Sequence, residues 1–305
     1  LGVIVHSQHA KSLAEEWYGA DLTRDWAMIP LLRAPGRGLT REEARKELNL
    51  DADDILVCSF GIIHPAKQSH RLAEAWLQSS LTRNAKARLV FAGQGIVESY
   101  DRQLAEYAAQ SGPGRIEFTG WLEPDRYRLY LAAADVAVQL RTLSRGETSA
   151  AALDCLSWGI PTIVNAHGSM AELPADRAST LPDEFTNAQL VAALERLCRD
   201  SGFRESLGSR AQAYMEQAHS PRICAELYAE AIERAYARAA TGRRALIKQI
   251  AQLEDIPQTG TPLRDLAECV ATSLPEPAPQ QRLYVDVSVL STKDDGTGIQ
   301  RVVRA

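Results

Sequence analysis

Arg145-Gly146-Glu147-Thr148-Ser149-Ala150-Ala151-Ala152-Leu153-Asp154-Cys155-Leu156-Ser157-Trp158-Gly159-Ile160-Pro161-Thr162-Ile163-Val164 is the stretch whose reading decides the fold of this 305-residue chain. A glycine-containing turn and an acid, Glu147, stand where a helix of small residues begins, and a second acid, Asp154, follows two turns later. A Gly-Ile-Pro break then ends the helix, and Thr162-Ile163-Val164 continues as a short β-branched strand. The first N–H groups of a helix have no intrahelical partner, and the helix dipole makes that end partly positive. Such a loop-to-helix junction can hold a phosphate or orient a polar ligand. An acid near each end adds acceptors for hydroxyls, so the stretch outlines a site for a phosphorylated, hydroxyl-rich ligand.

Working outward, strand and helix patterns alternate. Leu56–Phe60, Arg88–Ala92, Ile116–Thr119, Val136–Gln139 and Thr162–Val164 read as strands. Ser69–Gln78, Ser99–Gln110 and Asp125–Ala133 read as helices between them. Alternation of this kind implies an α/β fold, a Rossmann-like, doubly wound parallel sheet covered on both faces. Its ligand crevice lies at the carboxyl ends of the strands, where glycines and prolines punctuate the chain. Beyond the sheet, residues 187–199, 202–216 and 221–239 form a run of helices, and Tyr228, Ile232 and Tyr236 suggest an apolar stripe on the last.

Three further landmarks precede the opening stretch. Leu56–Gly61 is an apolar strand running into a glycine, followed by Ile62-Ile63-His64-Pro65-Ala66-Lys67. Arg88–Gly95 is a buried strand ending in a tight turn at Gly93. Ile116-Glu117-Phe118-Thr119-Gly120-Trp121 leads into a helix. In this order the four segments resemble the donor-binding half of retaining glycosyltransferases of the GT-B fold, family 4-like (group 1). In that family an acid, seven intervening residues and a second acid precede a Gly-x-Pro strand. The second half is matched here, whereas the spacing from Asp154 falls on Gly146 and the acid stands one place later, at Glu147. Asp154 also replaces the usual Glu. Gly61 and Lys67 match the family's Gly-Arg-x-x-x-x-Lys phosphate loop, but Ile62 occupies the arginine position.

The resemblance implies roles for particular residues. Lys67 and Glu147 are the expected catalytic pair, with Gly61, His64, Gly93, Gly120, Arg145, Gly146, Thr148, Ser149 and Asp154 binding the donor. Arg141 or Arg145 is expected to replace the cation missing at Ile62. Glu147 would contact the transferred sugar and Asp154 the ribose. Competing structural readings stand beside these: Gly61 and Gly93 as plain turn glycines, Lys67 opening an exposed helix, His64 as a loop residue, Glu147 as a dipole-stabilising acid. Trp121 and Trp158 read as packing residues, and Glu172 as an acid near the site.

Composition fits an ordinary globular protein, with 45% hydrophobic and 24% charged residues. A formal net charge of −5 gives no electrostatic case for nucleic acid. No apolar run approaches the roughly 20 residues of a membrane span, and residues 1–6 do not read as a signal peptide. Five scattered cysteines read as buried small hydrophobes in a reducing compartment. A cytoplasmic location is expected, with peripheral contact at the inner face of a membrane left open.

The expected organisation has four parts: 1–38 as a remnant of an N-terminal acceptor domain and its linker, 39–239 as the donor domain, 240–281 as a helical and Pro-rich linker, and 282–305 as the start of a second glycosyltransferase module. The resemblance implies a nucleotide-diphosphate sugar as donor substrate (GDP-mannose by likeness to multi-module polysaccharide enzymes), no metal and no other cofactor. It implies a glycan or lipid-linked glycan acceptor, held by an N-terminal domain, and a role in surface polysaccharide synthesis. The alternative is a degenerate, non-catalytic module acting as a scaffold. An epimerase or phosphorylase of the same fold is a third class.

Overall fold

Residue order places the sheet before the helical run, and the computed structural model has that order. It describes residues 2–34, 36, 38–238, 243–252 and 260–273. The expected second module at 282–305 and the prolines at 275–279 lie outside the described residues.

Near the start, strand β1 (Ile4–Val5) leads to helix α1 (Gln8–Tyr18), capped by Ser7, whose side chain accepts from the Ala10 N–H. A short helix α2 (Ala20–Thr23) follows, and β2 (Ala27–Met28) pairs parallel to β1. Helix α3 (Arg41–Glu47) opens on a capping box in which Thr40 and Glu43 satisfy each other's backbone N–H groups.

Six strands form the main sheet: β3 (Ile55–Phe60), β4 (Ala87–Ala92), β5 (Arg115–Phe118), β6 (Val136–Gln139), β7 (Thr162–Asn165) and β8 (Ser179–Leu181). All are parallel, in the order β5-β4-β3-β6-β7-β8. The order reverses direction between β3 and β6, so the switch point of the doubly wound sheet lies there. Helices α4 (Ser69–Gln78), α5 (Glu98–Gln110), α6 (Pro124–Ala133) and α7 (Ala150–Ser157) make the crossovers, and α8 (Asn187–Arg199) and α9 (Ser201–Ala218) follow. β3, β6 and β7 are buried along nearly their whole length because helices cover both faces.

One face buries Val57, Leu72, Trp76, Leu89, Phe91, Leu190 and Leu194, and the other Leu56, Cys58, Phe60, Val90, Ala137 and Cys155. Cys58, Cys155, Cys198 and Cys224 are buried free thiols, and burial raises the pKa of each, so they act as inert packing groups. The packing expectation holds for Trp158, against which the backbone of Gly36 lies. It fails for Trp121, which is 59% exposed.

Residues 2–229 form one compact unit, and the described residues from Glu230 onward belong to a second. Helix α10 (Pro221–Arg238) runs through the division. Cys224 is buried on it while Tyr236 is exposed, so the expected stripe does not extend to Tyr236. The second unit also holds helices at Arg243–Ile250 and Thr261–Ser273. None of the described helices is long and apolar enough to cross a membrane.

Candidate functional site

Gly61 ends β3 at φ +100°, a conformation that favours a residue without a Cβ. Its N–H donates to the Ala92 carbonyl at 3.1 Å, and its own carbonyl passes so close to Gly93 that a Cβ there would lie 2.0 Å from the oxygen. Gly93 in turn donates its N–H to Thr119 Oγ1 at 3.1 Å. The ends of β3, β4 and β5 therefore close on one another through glycine backbone. A Gly93→Ala substitution should push these loops apart and cost about 1–3 kcal/mol; the shift in urea midpoint measures it, and an unchanged midpoint would contradict this packing.

From Gly61 the chain turns through exposed Ile62 into a short 3₁₀ turn, Pro65–Lys67. His64 caps that turn, its Nδ1 accepting from the Ala66 N–H at 3.2 Å. Gln68 then takes a left-handed conformation and starts α4. Two bonds tie this loop to the loop after β6: Gln68 Nε2 donates to the Arg141 carbonyl at 3.1 Å, and Thr142 N–H to the Ala66 carbonyl at 2.9 Å. The sequence reading of Lys67 as the opening of an exposed helix does not hold. Lys67 is half-buried, and its amine makes no hydrogen bond or ion pair among the described residues. Burial and the nearby Arg141 guanidinium lower its pKa to about 8, against a partly opposing pull from Glu147.

Arg141 stands at the end of β6 with its side chain only 9% exposed. Its N–H donates to Asn165 Oδ1 at 2.8 Å, and its carbonyl accepts from Asn165 Nδ2 at 2.7 Å, so β7 holds its backbone. The guanidinium donates to Glu147 Oε1 at 2.8 Å, and Glu147 Oε2 accepts the Arg145 N–H at 2.6 Å. Burial pushes the Glu147 carboxyl up, but these hydrogen bonds, with Arg141 and Lys67, hold it below the usual value. Arg145 itself is exposed.

The loop carrying Glu147 is seated against the start of the chain. Ser7 Oγ donates to the Gly146 carbonyl and Thr148 Oγ1 to the His6 carbonyl, each at 3.4 Å. Ser149 caps α7, its hydroxyl accepting from the Ala152 N–H at 3.4 Å. Glu147 therefore lies outside the helix, and the dipole-stabilising reading gives way to its contacts with Arg141 and Arg145. Glu172 is engaged elsewhere: its two oxygens accept the Gln8 and His9 N–H groups at 2.9 and 2.6 Å, at the start of α1.

Asp154, in the second turn of α7, has the partner that a partly buried carboxylate needs. Arg33 Nε sits 3.0 Å from one oxygen, and the Tyr127 hydroxyl donates to the other at 3.3 Å. Arg33 lies 121 positions away and no local pattern marks it. Gly120 sits in the exposed turn beyond Thr119, whose hydroxyl donates to the Gly120 carbonyl at 2.8 Å. The structure thus brings Gly61, Gly93 and Thr119 together at one point and Lys67, Arg141 and Glu147 at another, on the same carboxyl edge of the sheet. Sequence reasoning named Arg141 only as an alternative to Arg145 and missed Arg33 and Tyr127. A crevice of about 720 Å³, lined by residues including Asp54, Trp158 and Arg204, lies at the opposite end of the strands and includes none of these groups.

The family model of glycosyl transferases group 1 matches residues 40–214. No curated protein sequence matches the chain. Among solved structures, the chain is similar to WaaG, a glycosyltransferase involved in lipopolysaccharide biosynthesis, at 17% identity and a TM-score of 0.63, covering 73% of this chain and 60% of that one. It is similar to HepE from Anabaena, solved in complex with UDP and glucose, at 18% identity and a TM-score of 0.63, covering 76% and 63%. Sucrose-phosphate synthase from Thermosynechococcus elongatus matches at 19% identity and a TM-score of 0.63, covering 78% and 59%. At these identities the likeness is one of fold. The chain spans about three fifths of the length of these neighbours.

Proposed function

The chain belongs to the glycosyl transferases of group 1, and from that premise we propose that it binds a nucleoside-diphosphate sugar at the carboxyl ends of β3, β4 and β6. The observation that carries this reading is the half-buried, unpaired Lys67 amine beside the buried Arg141. Two cations face a single carboxylate, Glu147, so the cluster keeps an excess positive charge that a diphosphate would neutralise. Bound there, the leaving diphosphate would be stabilised by cations already in place, which is where such sites gain most of their rate. The N–H groups at the start of α7 would add to this.

In the transfer reaction the sugar's anomeric carbon leaves the diphosphate oxygen and bonds to an acceptor hydroxyl on the same face, retaining configuration. As the bond forms, the acceptor hydroxyl passes its proton to the departing diphosphate oxygen on that face, so the nucleoside diphosphate leaves carrying it. No metal ion is required in this scheme. Glu147 would accept from a sugar hydroxyl, and Asp154, held by Arg33 and Tyr127, would lie at the ribose end. Gly61, Gly93, Gly120 and Gly146 keep the backbone close to the donor, while His64, Thr148 and Ser149 shape its loops. HepE was solved with UDP and glucose, so a UDP-sugar stands beside GDP-mannose as the donor to test. A glycan or lipid-linked glycan acceptor, in surface polysaccharide synthesis, would be held by an N-terminal acceptor domain. Residues 240–281 would then link the donor domain to a further module.

A second reading, the non-catalytic scaffold, is favoured by one observation: the exposed Ile62 stands where the family pattern has its phosphate-binding arginine. Calorimetric titration of the chain with UDP, GDP, ADP and their sugar conjugates separates the two. Selective binding of one nucleotide, weakened in both Lys67→Ala and Asp154→Ala, is the expected result, with no sugar transfer by this chain alone. Absence of binding to any of them would favour the scaffold, and robust transfer by the isolated chain would overturn the need for an acceptor domain.

A further inference from the structure

A buried cation with no anion to spare must be there for something. The Lys67–Arg141–Glu147 cluster holds two positive side chains and one negative, and Glu147 already divides its carboxylate between the Arg141 guanidinium and the Arg145 N–H. Arg141 is the more constrained of the two cations. Asn165 grips both polar atoms of its backbone, Gln68 bonds its carbonyl from the Lys67 loop, and the protein covers its side chain. Its guanidinium has a further edge that the single 2.8 Å bond to Glu147 does not use, and a planar fork suits two-point recognition of a phosphate. By contrast the Arg145 side chain is exposed, and only its backbone N–H reaches the cluster. Glu147 is the more accessible partner, with its side chain 53% exposed.

We infer that Arg141 is the second diphosphate-binding cation of this chain, replacing the one that Ile62 removes, and that Glu147 is its stand-in anion, surrendering the guanidinium when a diphosphate enters. This rests on the donor-site reading above and adds an exchange to it. Before the donor arrives, the carboxylate neutralises part of the charge and keeps Arg141 oriented. When the diphosphate takes the guanidinium, Glu147 is left with acceptor capacity beside the same cations, free for a hydroxyl of the incoming sugar. The exchange would thus make the sugar contact conditional on the diphosphate contact.

The test is a double-mutant cycle on binding, using whichever of UDP, GDP or ADP the unmodified chain binds best, its parent nucleoside and inorganic pyrophosphate. Arg141→Met should weaken the nucleoside diphosphate and pyrophosphate about tenfold while leaving the weak affinity for the nucleoside unchanged, and Arg141→Lys should restore part of the loss. Glu147→Gln should tighten the nucleoside diphosphate several-fold, because no ion pair has to open first. That gain should vanish in the Arg141→Met background. Persistence of the gain without Arg141 would show simple charge repulsion by Glu147 and sink the exchange. In Arg141→Met the pH at which nucleotide affinity starts to fall should also move upward, since Lys67 would lose its cationic neighbour; a merely structural Arg141 would leave it in place. Melting curves for each variant separate lost binding from lost fold. If the unmodified chain binds none of the three nucleotides, the donor-site reading fails and this inference with it. If the unmodified chain binds but Arg141→Met binds equally well, this inference fails alone.

Discussion

Lys67→Ala should cost on the order of 100-fold in affinity for the preferred nucleoside diphosphate, at the upper end of what a hydrogen bond to a charged group contributes. The effect should exceed that of Arg141→Met because the two cations start differently. Arg141 must first leave Glu147, which offsets part of its gain, whereas the Lys67 amine has no partner to leave. Lys67 also gives the site a pH signature. Its amine titrates near 8 in the free protein, and only the protonated form attracts phosphate. Affinity should be flat below that pH and fall as pH rises through it, levelling off once the bound complex has also lost its proton. Stability should move the other way. Lys67 has a folded pKa of about 8, below its usual 10.5, so between those values the unfolded chain holds a proton that the folded chain does not. Stability therefore gains from this group as pH rises from 8 towards 10.5. Titration and urea unfolding at several pH values between 7 and 10 check both slopes. Affinity independent of pH in that range, or equal binding by Lys67→Ala, would remove Lys67 from the phosphate site.

Why the sequence disclosed the sheet so well and the site so unevenly follows from the range of the signals. The strands at 55–60, 87–92, 115–118, 136–139 and 162–165 are short apolar runs closed by glycine, proline or an acid, and each agrees with its sequence reading to within a residue. Such runs are local, and so are the caps: Ser7, Thr186 and Ser149 each stand at a helix start and bond within three residues. The edge strand Ser179–Leu181 escaped because three residues carry no periodicity. The cluster around Lys67 depended on a fact no window contains, that the loops after β3 and β6 become neighbours only when the strands pair. Arg141 and Arg145 are equally basic in sequence. Only the fold separates them, by burying one and exposing the other. Asp154 needed a partner on electrostatic grounds alone, yet nothing in its neighbourhood pointed to Arg33. Trp121 went the other way: an aromatic residue beside an apolar strand reads as core, but the turn at Gly120 carries it to the surface.

Asp135 shows the same long-range dependence at the other end of the sheet, and its removal should have the largest effect on stability. As a sequence feature it is only the residue before β6. In the fold it is 7% exposed, ion-paired to Arg41 and to the equally buried Arg45, and one of its oxygens accepts the Leu56 N–H at 2.8 Å. The Asp135 N–H donates back to the Leu56 carbonyl at 2.8 Å, so this residue starts the pairing of β3 with β6. Arg45 lies in α3 and spends its other bonds on the carbonyls of Asp51, Asp54 and Ala133. Asp135 therefore fastens α3 to the two central strands. Asp135→Ala would leave a buried guanidinium without its carboxylate and a strand N–H without an acceptor, a combination that costs about 3–5 kcal/mol. Asp135→Asn keeps an acceptor for Leu56 but not the charge, and should cost roughly half as much. Urea unfolding gives both values. Because β3 and β6 carry Lys67 and Arg141 at their far ends, nucleotide affinity well below the unfolding midpoint should stay within about twofold of the unmodified chain, since Asp135 and that cluster stand at opposite ends of the strands and share no hydrogen-bond or ion-pair partner. A loss below 1 kcal/mol in Asp135→Ala would mean that Arg45 finds its counter-charge elsewhere, among Asp51, Asp53 and Asp54 beside it.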